Sequence, residues 1–197
     1  MKAYKCTIER FSLSSMLKLT KLICSVTFTG SSLLACSLFN SNDFDRPSLV
    51  GQRIPNTRFT SLQDGFLRTL EEFSGAPRVI IFWAEWCSYS KPVILEINKI
   101  AREFKGSGDP IKKALNFVAI SIDPADRYQR VQERVTYQKL DALTHAFSGN
   151  GLFDETYMAY RGGNLPHIIF VGADGVVLAE GHGSSVIQSG LSALGVN

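Results

Sequence analysis

An uninterrupted apolar run at residues 79–83, followed closely by a helical pattern, is the feature that most constrains the fold. A short apolar run rich in β-branched and aromatic residues predicts a strand that is buried on both faces. At residues 93–104, apolar residues recur at three- and four-residue spacing, which predicts a helix with one buried face. A buried strand that leads into such a helix is typical of α/β sheets, so the chain is predicted to contain an α/β domain.

The pattern continues along the chain. Residues 58–62 and 66–70 flank Asp64-Gly65, a turn signal that predicts a β-hairpin in front of the buried strand. The last predicted strand follows Asp174-Gly175 and is antiparallel to its neighbour. Further strands are predicted at residues 115–122, 168–171 and 176–180, and further helices at residues 126–140 and 184–194. The fold class is therefore a central mixed sheet with helices on both faces and an N-terminal β-hairpin extension.

The first 35 residues have the pattern of a secretory signal. An uncharged, apolar-to-small stretch at residues 22–34 follows Lys18 and Lys21 and ends at Leu33-Leu34-Ala35-Cys36. The ending resembles a bacterial lipobox, which implies cleavage before Cys36 and lipidation of that cysteine. An uncleaved anchor or an incidental cysteine is the alternative, and Met16 is a second possible start. The predicted organisation is a leader at 1–35, a polar tether at 36–50 and a domain at 51–197.

Charge follows the same division. The leader holds five of the 21 basic residues and one of the 18 acidic residues, which leaves 16 bases and 17 acids in the rest of the chain. A nucleic-acid-binding domain needs a basic face, so nucleic acid is not a predicted partner. The predicted location is extracytoplasmic, with a lipid anchor in a bacterial membrane.

Cysteine counting leaves one thiol in the predicted domain. Cys6 and Cys24 lie in the leader, and lipid would occupy Cys36. Only Cys87 remains, in a compartment that favours disulfides. The domain can therefore form no internal disulfide.

Cys87 lies between the buried strand and the amphipathic helix. Unpaired N–H groups and the helix dipole at a helix start stabilise a thiolate. Ser90, three residues later, could donate a hydrogen bond to that thiolate, and Lys91 could add positive charge. The alternative is that Cys87 is a small buried apolar side chain, as free cysteines often are.

The sequence FWAEWCSYSK at residues 82–91 resembles the active site of thioredoxins, with Cys-Ser-Tyr-Ser in place of Cys-x-x-Cys. The rest of the domain resembles the TlpA/ResA-like, membrane-tethered redoxin branch. The supporting motifs are the opening with Gly51, Pro55 and Phe59, then Asp64-Gly65, Phe73-Ser74-Gly75, Ala119-Ile120-Ser121-Ile122-Asp123 and Gly163-Asn164-Leu165-Pro166-His167.

This resemblance implies a thioredoxin fold in which Pro166 is a cis-proline that faces Cys87. Trp86, Tyr89, Leu165 and Pro166 would then bind an extended substrate. The alternative for Pro166 is a plain proline at the start of a strand. The chain departs from the family where Ser90 replaces the resolving cysteine and Ile81 replaces a buried aspartate.

A serine hydroxyl does not resolve a mixed disulfide, so turnover by a dithiol mechanism is not expected. The preferred hypothesis is thiol-disulfide exchange with envelope or secreted proteins through Cys87 alone, with Ser90 as the second residue of the predicted catalytic site. A redox-sensing thiol remains open, as does a non-catalytic binding or chaperone-like module. No cofactor is predicted, and the positions of His145, His167 and His182 show no metal-ligand spacing.

Overall fold

The computed structural model describes residues 47–196. It contains seven strands and five helices in that range, together with short 3-10 turns. In chain order these are β1 (Arg58–Thr60), β2 (Leu67–Thr69), β3 (Arg78–Trp83), α1 (Ser90–Gly106), α2 (Pro110–Ala114), β4 (Asn116–Ser121), α3 (Tyr128–Tyr137), β5 (Thr144–Phe147), α4 (Glu155–Ala159), β6 (His167–Val171), β7 (Val177–His182) and α5 (Ser185–Ala193).

Strands β3 to β7 form one sheet in the order β5-β4-β3-β6-β7, and β1 and β2 form a separate antiparallel hairpin. β3 is central and pairs parallel with β4 and antiparallel with β6. β4 also pairs parallel with β5, and β6 pairs antiparallel with β7. The mixed sheet and the hairpin extension confirm the predicted fold class.

The side chains of β3 alternate between the two faces of the sheet, because successive residues of a strand point in opposite directions. Val79, Ile81 and Trp83 pack in the same cluster as buried residues of α1, α3 and α5. Ile80 and Phe82 pack on the other face, in the cluster that holds residues of the hairpin and α4. Both faces are therefore covered, which explains why the run at 79–83 has no polar positions.

Helix α1 forms where the three- and four-residue spacing predicts it. Its apolar residues Val93, Ile94, Ile97 and Ala101 are all buried in the cluster on one face of the sheet. The helix begins at Ser90 and ends at Gly106, and the N–H of Ser107 bonds to the carbonyl of Phe104. Helix α1 thus holds the chain after Cys87 against the end of β3.

Three elements were not predicted from the sequence. β5 is a four-residue edge strand, and α2 and α4 are helices of five residues each. All three are too short to show a clear period, and β5 is defined by its pairing with β4. In addition, β7 continues through Gly181 and His182, beyond the predicted end of this strand at residue 180.

The start of the domain also differs from the prediction. Leu49, in the predicted tether, is buried in the core, and its N–H donates to Glu180 at 2.6 Å. The leader, Met16, Cys36 and the tether up to residue 46 lie outside the described residues. Within residues 47–196, no helix combines the length and the apolar character needed to cross a bilayer.

Candidate active site

The candidate site lies at one edge of the sheet. β3, β4 and β5 run parallel, so their carboxyl ends meet at the same edge. The loop after β3 carries Cys87, and the loop before β6 carries Leu165 and Pro166. β6 is antiparallel to β3, with Phe82 opposite His167, so its amino end comes to this edge as well.

Cys87 is a free, half-buried thiol. Its Sγ lies 3.8 Å from the carbonyl oxygen of Leu165 and can donate a weak hydrogen bond to it. The Leu165–Pro166 peptide bond is cis. The structure therefore brings Cys87 close to the Leu165-Pro166 segment, which follows it by 78 residues, as the family resemblance implies.

The predicted hydrogen bond from Ser90 to the thiol is not present. The Ser90 side chain is fully buried, and its hydroxyl has no hydrogen-bond partner among the described residues. Helix α1 starts at Ser90, and the Ser90 N–H donates to the carbonyl of Cys87. Cys87 thus precedes the first turn of the helix, and its own N–H donates to the carbonyl of Ala84.

Two aromatic residues flank the thiol in sequence. Trp86 is 47% exposed and Tyr89 is 78% exposed, so both offer apolar area to a binding partner. Leu165 is half-buried and Pro166 is buried. The predicted substrate-binding residues thus divide into an exposed pair beside Cys87 and a less accessible pair opposite it.

Lys91, which was expected to place a positive charge near the thiolate, pairs with Glu85 instead. Lys91 lies 3.9 Å from the Glu85 carboxylate, and Arg127 and Arg134 lie 3.4 and 3.0 Å from it. Burial tends to raise the pKa of Glu85, but the hydrogen bond from Arg134 and the charges of the three cations outweigh burial and lower it. Lys91 therefore contributes to an ion-pair cluster rather than to a contact with Cys87.

Asp123 is the functional candidate that the sequence analysis missed. It is fully buried, and its Oδ2 accepts hydrogen bonds from the Glu85 N–H and the Ser121 hydroxyl, each at 2.8 Å. Its Oδ1 has no hydrogen-bond partner in the described part of the chain. Burial raises the pKa of this carboxyl, against the opposing hydrogen bond from Glu85. Through its bond to the Glu85 N–H, Asp123 fixes the loop two residues before Cys87. The only feature of the sequence that could have indicated this role is the position of Asp123 at the end of the Ser121-Ile122-Asp123 motif.

Two of the three histidines lie close together in the structure. The rings of His167 and His182 lie 4.8 Å apart, and His167 Nε2 is 3.3 Å from a carboxylate oxygen of Glu180. His145 is separate and buried, and its Nε2 bonds to the carbonyl of Leu140. Over residues 47–196, no group of three or more His, Cys, Asp or Glu side chains is arranged to hold a metal ion.

No protein-family model matches the sequence, and no curated protein matches it either. Solved structures do resemble it. A thiol-disulfide oxidoreductase from Bacteroides fragilis NCTC 9343 has 21% sequence identity and a TM-score of 0.60, and the alignment covers 73% of this chain and 99% of that one. A thiol:disulfide interchange protein, DsbE, from Chlorobium tepidum has 19% identity and a TM-score of 0.60, with 74% of this chain and 97% of that one covered.

A secreted disulfide oxidoreductase from Mycobacterium tuberculosis has 22% identity and a TM-score of 0.54, with 71% of this chain and 92% of that one covered. At these identities the similarity concerns the fold. The strand order and these structural neighbours together show that the chain has a thioredoxin fold.

Proposed function

We propose that this protein carries out thiol-disulfide exchange through Cys87 alone. The observation that carries the proposal is the half-buried Sγ of Cys87 beside the carbonyl of Leu165, the residue before Pro166. Exposed Trp86 and Tyr89 leave room and apolar area for a substrate segment. The structural neighbours that bear the name thiol-disulfide oxidoreductase support the same chemistry.

The chemistry takes two steps. The Cys87 thiolate attacks one sulfur of a substrate disulfide, a new Cys87–substrate disulfide forms, and the second substrate sulfur leaves as a thiolate. An external thiol then attacks the mixed disulfide and releases Cys87. Ser90 cannot perform this second step, because an unactivated hydroxyl is a poor nucleophile and its oxygen is buried. Exchange therefore depends on a thiol from outside the domain.

The proposed partners are envelope or secreted proteins with thiols or disulfides. The leader pattern at 1–35 supports export, and Cys36 supports a lipid anchor on the extracytoplasmic side of a bacterial membrane. Replacement of Cys36 by alanine should abolish incorporation of labelled palmitate and leave the leader uncleaved. Palmitate labelling that persists in Cys36→Ala would contradict the anchor.

The decisive experiment restores the missing thiol. Ser90→Cys should gain dithiol-dependent reduction of insulin, because the second thiol would lie one helical turn after Cys87. Ser90→Ala is the matched control, since it removes the hydroxyl without adding a thiol, and it should reduce insulin no faster than the wild type. An inactive Ser90→Cys protein that folds normally would show that the site cannot accept a disulfide substrate.

A second experiment looks for the intermediate. Mass spectrometry of protein purified from its native envelope should find Cys87 in mixed disulfides with other proteins. These adducts should disappear on reduction and in Cys87→Ser. A Cys87 thiol that remains fully reduced and unmodified throughout would reject the exchange mechanism.

A binding module without turnover is the second candidate. The observation that favours it is the pair of exposed aromatic side chains, Trp86 and Tyr89, beside a site with no resolving thiol. In that case Cys87→Ser should keep the cellular phenotype, whereas a combined Trp86→Ala and Tyr89→Ala variant should lose it. Loss of the phenotype in Cys87→Ser would exclude this candidate.

A further inference from the structure

Arg78 is a buried cation at the end of β3 that lies away from Cys87. The residue is only 3% exposed, although arginine is among the residues that are least often buried. Its Nη1 donates a hydrogen bond to the carbonyl of Leu70 at 2.7 Å. Its Nε has no hydrogen-bond partner in the described part of the chain. One edge of the guanidinium, which carries Nε and Nη2, therefore lacks an acceptor.

The positive charge of Arg78 is also uncompensated. None of the ion pairs within residues 47–196 involves Arg78, so no carboxylate lies within 4.0 Å of it. Tyr160 is the nearby acidic group, but burial raises the pKa of its hydroxyl, which remains neutral. Burial also lowers the pKa of Arg78. Buried charges in proteins are normally paired, so this one lacks its usual counterion.

A second guanidinium faces the same space. Arg78 and Arg53 both line a cavity of about 170 Å³ beside the β6–β7 turn. A Cβ atom added to Gly175 would lie 3.7 Å from Arg78 Nη2 and 3.8 Å from Arg53 Nη1, so the absence of a side chain at Gly175 leaves the space between the two groups open.

The acidic residues at the cavity do not neutralise the two arginines. Glu71 accepts a hydrogen bond from Asn56, and Asp174 accepts one from the Val176 N–H. Neither carboxylate comes within ion-pair distance of Arg78 or Arg53 in the described structure. Arg53 instead donates from Nη1 to the carbonyl of Asp174 at 2.5 Å.

We infer that this cavity is a binding site for a small oxyanion, a phosphate or a carboxylate, held between the guanidinium groups of Arg78 and Arg53. The planar fork of arginine matches the two oxygens of such an anion, and Nη2 of Arg78 and Nη1 of Arg53 both lie next to the space that Gly175 leaves open. β3 is six residues long, so the cavity lies about 17 Å or more along the sheet from the Cys87 loop. The site is thus separate from the thiol and does not depend on thiol exchange.

Thermal unfolding of the full chain tests the inference, with inorganic phosphate and acetate as probes and sodium chloride as the control at equal ionic strength. At a free concentration about ten times the dissociation constant, phosphate or acetate should raise Tm by about 4 °C. Arg78→Met should abolish this rise, and Arg78→Lys should weaken it, because lysine keeps the charge without the fork. Arg58→Gln, which changes an exposed arginine of the hairpin, should respond like the wild type.

A second readout applies if Arg78→Met does not fold. Broadening of the ³¹P resonance of phosphate by the wild-type chain should be reduced in Arg53→Gln, whose altered side chain is exposed. A Tm rise from acetate alone would assign a carboxylate ligand, and a rise from phosphate would assign a phosphate. An equal rise with chloride, the same rise in Arg78→Met, or no response to either anion would overturn the inference.

Discussion

The two ends of β3 each have a buried charged residue beside them. Near the Cys87 loop this residue is Asp123, and at the opposite end it is Arg78. Asp123 accepts two short hydrogen bonds, from Glu85 and Ser121, so it fixes the backbone that presents the thiol. Arg78 donates one, to Leu70, and lacks a counterion. A buried charged group can therefore be satisfied by the protein itself or can require a ligand. Its hydrogen-bond and ion-pair partners show which of the two cases applies.

The largest expected effect on stability is at the Asp123 end. Asp123→Ala should lower the free energy of unfolding by about 1–3 kcal/mol, because the Glu85 N–H and the Ser121 hydroxyl lose their buried acceptor. Urea unfolding measures the change. Asp126→Ala, which changes an exposed carboxylate nearby, is the control and should stay within about 0.5 kcal/mol of the wild type. If Asp123→Ala is as stable as this control, the two hydrogen bonds of Asp123 do not stabilise the Cys87 loop.

The pH dependence of stability sharpens the same point. Burial raises the pKa of Asp123 above 3.8, so its stabilising contribution is present at low pH and is lost as the pH rises through the folded-state pKa. The wild type should thus lose stability relative to Asp123→Asn as the pH increases from about 4. Unfolding curves at a series of pH values give the difference. A difference that stays constant, or that grows in favour of the wild type, would contradict a carboxyl with a raised pKa.

A smaller effect is expected at the Arg78 end. In buffer without phosphate or carboxylates, Arg78→Met should change the free energy of unfolding by no more than about 1 kcal/mol, because the lost bond to Leu70 is offset by removal of an unpaired buried charge. Arg58→Met is the control on an exposed arginine. A loss of several kcal/mol, measured in urea, would show that the structure itself satisfies Arg78.

The smallest effect on stability is expected for the exposed aromatic residues beside the thiol. Trp86→Ala and Tyr89→Ala should each change the free energy of unfolding by less than about 0.5 kcal/mol. Both should slow the formation of mixed disulfides by Cys87, because they remove the apolar area that holds the substrate. Ile111→Ala, an exposed apolar residue of α2, is the matched control and should leave the rate unchanged. Equal rates in all three variants would exclude Trp86 and Tyr89 from substrate binding.

The sequence was sufficient to predict the central strand, helix α1 and the approach of Cys87 to the Leu165-Pro166 segment. The strand follows from an apolar run, the helix from its three- and four-residue spacing, and the approach from a resemblance to thioredoxins. β5 and α4 could not be predicted, because four- and five-residue elements depend on tertiary pairing rather than on a local pattern.

The polar interactions were harder to anticipate. Lys91 contacts Glu85 rather than the thiol, and the Ser90 hydroxyl is buried without a partner. Neither result could be read from sequence spacing, because side-chain partners depend on burial and on residues from distant strands. The roles of Asp123 and Arg78 were also not predictable, because they depend on burial and on partners that only the structure shows.

The bond between the first described residues and Glu180 has a consequence for the order of folding. Ser48 and Leu49 contact a carboxylate that lies more than 130 residues later in the chain. During synthesis from the N-terminus, their partner emerges only when nearly all of the domain is complete. Closing so long a loop is entropically costly before the intervening strands are paired. The N-terminal segment is therefore expected to dock late, after β7 has joined the sheet, although it leaves the ribosome before every strand of the domain.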